Sequence, residues 1–110
     1  MSATLRIHDV KDAEGRVLAI KIEIDLWLDR RRLCKRIRAI PGVTILRAPK
    51  AFSRSREEEF CEFSLAGVQF VVWEPFGDSD RYWIGPKDNA WHAEIGAVRE
   101  ALSQRTEPRI

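Results

Sequence analysis

The chain has 110 residues, of which 45% are hydrophobic and 33% charged, and a formal net charge of +2. That length suits a single domain with one core, and the apolar share excludes a disordered chain, whose few apolar groups could not offset the entropy of ordering. Two cysteines, Cys34 and Cys61, are too few for a disulfide scaffold or a thiolate zinc site.

The chain begins MSATLRIHDV, without a charged start followed by an apolar stretch. No apolar run approaches the roughly 20 residues that span a bilayer. The expectation is a cytoplasmic protein with both thiols reduced and no membrane association.

Thr4 to Val10 reads as a strand, and Asp12-Ala13-Glu14-Gly15 as a turn. Val17 to Ile24 follows as a second strand. Leu18, Ile20, Ile22 and Ile24 alternate with Ala19, Lys21 and Glu23, the pattern of a sheet with one wet face. The two segments predict an antiparallel hairpin.

Asp25 is placed to cap a helix from about Leu26 to Ile40, with Leu26, Leu33, Cys34, Ile37 and Ile40 along its apolar stripe. Pro41-Gly42 ends it. Val43 to Arg47 reads as a short strand, and residues 48–59 as a long polar connection.

Phe60 to Leu65 and Val68 to Trp73 form two strands joined at Ala66-Gly67, a tight-turn signal. Pro75-Phe76-Gly77-Asp78 is a further turn, and Arg81 to Ile84 a short strand ended by Gly85-Pro86. Asp88 or Asn89 caps a second helix from about Ala90 to Gln104, with Trp91, Ile95, Val98 and Leu102 on one stripe. Residues 105–110 are expected to fray.

The order ββαββββα predicts an α+β two-layer sandwich. Its sheet is mainly antiparallel, with five to six strands and both helices on one face, in a single domain over residues 1–104. The opposite sheet face would carry Lys21, Glu23, Glu62, Ser64 and Gln69, and with them the large groups Phe60, Val71, Trp73 and Trp83.

Charge along the chain is segregated. From Arg30 to Arg56 there are ten basic residues and no acidic one, whereas all 17 acidic residues lie elsewhere. On the first helix Arg31, Lys35 and Arg38 make one outward stripe, with Arg32 and Arg36 beside it. Arg30 falls near the apolar arc, so it must snorkel or pair with an acid. Such a face suits an acidic protein partner, or the phosphates of a nucleic acid. It could also be a solvated surface neutralised by the protein's own acids.

The RNA-binding families give little support to the nucleic-acid alternative. Residues 26–104 have the α-strands-α order of a double-stranded-RNA-binding domain, but that family places lysines at the start of its last helix. Here the segment reads Asp88-Asn89-Ala90-Trp91-His92. The interleaved basic, glycine and aromatic consensus of the RRM family is also missing.

His8 and His92 lack the convergent partners or spacing of a metal or acid–base site. Cys34 and Cys61 fall on apolar faces, and they read as small buried hydrophobes. The segment from Trp73 to Trp83 packs Glu74, Asp78, Asp80, Arg81 and four aromatics around one turn. It could be turn and core, an interface hot spot, or a small enzyme's acidic site.

These observations lead to an expectation: a non-enzymatic interaction module with no cofactor and no metal. It would bind an acidic protein through Arg31, Arg32, Lys35, Arg36 and Arg38, and through Trp73, Phe76 and Trp83. A nucleic-acid-binding domain, or an enzyme using the 74–80 acidic turn, is the alternative. Homodimerisation through the aromatic sheet face is compatible with the same pattern.

Overall fold

The first hairpin is set by its turn. Asp12 accepts hydrogen bonds from the backbone N–H groups of Glu14 and Arg16 and from Arg16 Nε. Gly15 supplies the positive φ of 80° that lets the chain reverse. β1 (Ile7–Lys11) and β2 (Val17–Glu23) therefore pair antiparallel. The computed structural model describes residues 5–24, 28–48, 59–75 and 81–104. The expected cap Asp25, together with Leu26, Phe76 and residues 105–110, lies outside them.

α1 spans Arg30–Arg38, shorter than the sequence pattern predicts. Its cap is Asp29, whose carboxylate accepts the N–H of Arg32 at 2.8 Å. Leu33, Cys34 and Ile37 are its buried face. Gly42, at φ 86°, turns the chain into β3 (Val43–Arg47).

β4 (Glu59–Leu65) and β5 (Val68–Trp73) are joined by Ala66 and Gly67, both with positive φ, as a two-residue primed turn requires. β6 (Arg81–Pro86) runs two residues beyond the expected stop. Pro86 still stands opposite Phe70, and the next N–H, of Lys87, donates to Gln69 O. Proline is tolerated because it ends the strand.

α2 (Glu94–Ser103) begins later than expected. Asp88 spends its carboxylate on the N–H of Ala90 and on His92, and Asn89 adopts φ 58°. A left-handed residue cannot continue a helix. Trp91 is consequently outside the apolar stripe and 41% exposed, with the Arg16 guanidinium 4.8 Å from its ring.

The six strands form one antiparallel sheet in the order β1-β2-β6-β5-β4-β3. Cross-strand neighbours Ile20, Ile22, Tyr82, Ile84, Val72, Phe70, Cys61 and Phe63 are buried on the face that the two helices cover. They share one core with Leu33 and Ile37 of α1 and Ile95, Val98 and Leu102 of α2. The fold is the α+β arrangement that the element order predicts. No helix among the described residues is long and apolar enough to cross a membrane.

One strand departs from simple alternation. Between Glu59 and Cys61 the β4–β5 register shifts, so Glu59 faces Trp73 while Cys61 faces Val72. The bulge turns Phe60 out of the expected open face and into the core, where it is 6% exposed and meets Tyr82 edge-on at 5.3 Å.

Candidate functional site: the basic face of α1

Among the described residues, the basic side chains of the segment include some satisfied by the fold and some left outward. Arg30 donates through Nε to Glu74 at 3.1 Å, and its guanidinium lies over the Phe60 ring. The expected acid partner of Arg30 is thus Glu74 from the acidic turn, and that pairing commits Glu74 to the fold. Arg36 reaches across to α2, where Nη2 donates to the carbonyls of Leu102 and Gln104 at 3.4 and 3.3 Å. A cation at these last carbonyls suits the negative end of the helix dipole. Arg47 stands near Glu59 and Glu62 on neighbouring β4.

Arg31, Lys35 and Arg38 behave differently. They recur at helical spacing on the outer side of α1, are exposed, and have no ion pair among the described residues. With Arg32 they surround a cavity of about 510 Å³, completed by Asp29, Cys34 and Ala48. Asp29, the one acid among these residues, already serves as the helix cap. The sequence-predicted residues Arg31, Arg32, Lys35 and Arg38 are therefore brought together, whereas Arg36 is drawn towards α2.

Cys34 lies at the inner side of this cavity, and only 4% of it is exposed. Its Sγ is 3.1 Å from Sγ of Cys61 on β4, and both thiols are free. The hydrogen bond from Cys61 is the main influence lowering the Cys34 thiol to about 7; burial opposes it and the charge of Arg38 adds to it. Cys61 is pushed upwards by the same hydrogen bond, by burial and by the charge on Cys34. Of the two thiols, Cys34 is thus the one whose ionisation the surroundings favour. The sequence places each cysteine on an apolar face but gives no sign that α1 and β4 bring them together.

The aromatic half of the expected surface lies elsewhere. Trp73 and Trp83 are cross-strand partners on the open sheet face, with ring centroids 5.6 Å apart. Lys21 Nζ sits 4.4 Å from the Trp83 ring. The Trp73 ring lies close to Gly85: a Cβ there would meet its Cη2 at 3.3 Å. Ala19 and Val71 on the same face are buried. The large groups on the wet face are accommodated by small neighbours that let an indole lie flat. Helices cover the other side of the sheet, so among the described residues these tryptophans and the basic face of α1 do not form one continuous patch.

The two histidines each pair with one carboxylate, His8 with Glu23 at 2.7 Å and His92 with Asp88 at 2.9 Å. The bond from His8 holds Glu23 below its ordinary value. Among the described residues no group of three His, Cys, Asp or Glu side chains is placed to hold a metal ion. Asp78 and Asp80 lie outside the described residues.

No family model, curated protein or solved structure matches this chain.

Proposed function

We propose that this protein is an interaction module that recognises an acidic segment of a partner protein through the outer face of α1. The observation that carries the reading is the convergence of Arg31, Arg32, Lys35 and Arg38 on one cavity. A solvated face neutralised by the protein's own acids would pair these side chains as Arg30 is paired. Arg31, Lys35 and Arg38 instead remain outward without an ion pair among the described residues.

The chemistry suits carboxylates. A guanidinium presents a planar fork that matches a carboxylate in two parallel hydrogen bonds, and Lys35 adds a point charge. The cavity's concave form gives an Asp or Glu side chain cationic groups on several sides. Charge complementarity of this kind sets association rate and specificity more than affinity.

The test is fluorescence anisotropy with a labelled Glu/Asp-rich peptide, and with single- and double-stranded nucleic acid of similar length, at low and moderate salt. The reading expects saturable peptide binding, weakened at least tenfold by the triple variant R31E/K35E/R38E. It fails if the peptide does not bind at low salt or if the triple variant binds as well as the wild type. Nucleic acid bound more tightly than the peptide, with a steep salt dependence, would establish the rival reading.

A further inference from the structure

We propose that Cys34 and Cys61 form a redox-active pair, in which Cys34 at the floor of the basic cavity is oxidised by a small hydroperoxide and Cys61 resolves it into a disulfide joining α1 to β4. The inference stands apart from the partner reading, since it needs only the two sulfurs and the opening to one of them.

Three features on different elements converge here. The sulfurs are 3.1 Å apart although their residues are far apart in sequence. Disulfide sulfurs stand about 2.0 Å apart, so closure requires only about 1 Å of approach. Cys34 is among the residues lining the cavity while Cys61 is fully buried, which makes Cys34 the nearer of the two to solvent and Cys61 the resolving thiol. The cavity, at about 510 Å³, has room for a molecule little larger than water, which takes up roughly 30 Å³.

The charges around Cys34 favour its thiolate, the nucleophilic form. On its own helix Arg38 acts on the Cys34 thiol, and Arg31, Arg32, Lys35 and Asp29 line the same cavity. From the sheet it faces the Cys61 thiol, hydrogen-bonded to it, and Arg47 acts electrostatically on Cys61.

The steps balance as follows. The Cys34 thiolate attacks one peroxide oxygen; an S–O bond forms, the O–O bond breaks, and the departing hydroxide takes a proton to become water. Cys34 is now a sulfenic acid. Cys61 sulfur then attacks Cys34 Sγ; the S–S bond forms, the S–O bond breaks, and the leaving hydroxide carries the Cys61 proton away as a second water. Two thiols and one hydrogen peroxide give one disulfide and two waters, with two electrons passing from sulfur to oxygen.

The experiment treats the full-length protein with a slight excess of hydrogen peroxide near neutral pH and follows intact mass and thiol alkylation. The wild type is expected to lose two hydrogens and both alkylatable thiols, at a fractional rate that at fixed peroxide does not depend on protein concentration and that falls as the pH drops below about 7. C61S, which keeps a hydrogen-bonding group beside Cys34, should instead stop at a sulfenic acid on Cys34 that a dimedone probe captures, and C34A should react at least tenfold more slowly than C61S. Wild type that gains oxygen without closing overturns the proposal. So does a disulfide that forms only between molecules, or a thiol pair that reacts no faster when folded than in denaturant. The comparison of folded and denatured wild type keeps the test decisive if either variant fails to fold.

Discussion

Replacing Gly85 with alanine tests how the open face holds its two tryptophans. A Cβ at residue 85 would stand 3.1 Å from Ala19 Cβ, 3.3 Å from Trp73 Cη2 and 3.5 Å from Trp73 Cζ3. Ala19 belongs to β2, hydrogen-bonded on both sides in the sheet, so its Cβ cannot retreat without moving backbone. The indole of Trp73 can swing outward, at the cost of the contact that keeps it flat.

Alanine also reduces the freedom of the unfolded chain, a gain of about 0.4–1 kcal/mol. Overpacking of this kind costs about 1–3 kcal/mol. The expected net loss is about 1–2 kcal/mol, or a fall in Tm of roughly 5–15 °C for a chain of this size. Urea and thermal unfolding would measure it, with the Trp73 indole N–H resonance, assigned through W73F, reporting the ring's displacement. Adding A19G should recover part of the loss by removing the shorter contact. G85A at wild-type stability or above, with that resonance unmoved, would refute the reasoning.

The cap of α1 offers a simpler case. D29A removes the acceptor for the Arg32 N–H and should cost about 1 kcal/mol in urea unfolding, with D29N or D29S restoring most of it; equal stability of all the variants would show that the cap contributes nothing. Alkaline pH provides another. Burial, and then the negative charge of Glu74, push Tyr82 up to about 12. The unfolded state therefore loses its phenolic proton near 10 while the folded state keeps it, so stability falls between about pH 10 and 12. The loss is on the order of 2–3 kcal/mol. Urea unfolding at pH 9 and 11.5 should show this decrement in the wild type and a smaller one in Y82F; equal decrements would exclude Tyr82 as its source.

The amino-acid sequence by itself determined the element order and most of the inward-facing residues. Period-two alternation in Val17–Glu23 and Val68–Trp73 and the Asp12–Gly15 and Ala66–Gly67 turns carry enough local information to place four strands. The stripe of Ile95, Val98 and Leu102 did the same for α2, because helical spacing needs no knowledge of the partner surface. The outward stripe of Arg31, Lys35 and Arg38 was legible for the same reason.

Where two residues far apart in the chain compete for one position, local pattern says nothing. The bulge between Glu59 and Cys61 breaks the alternation at the start of β4, and Phe60 turns inward beside Cys61 to meet Tyr82. Strict alternation cannot anticipate that shift. The start of α2 was decided by Asp88 and Asn89 acting as a turn, where both also look like caps. Only tertiary structure set Arg30 on Glu74 and Arg36 on the end of α2. It alone brought Cys34 within 3.1 Å of Cys61, because that contact belongs to the packing of a helix on a sheet and has no periodicity in the chain.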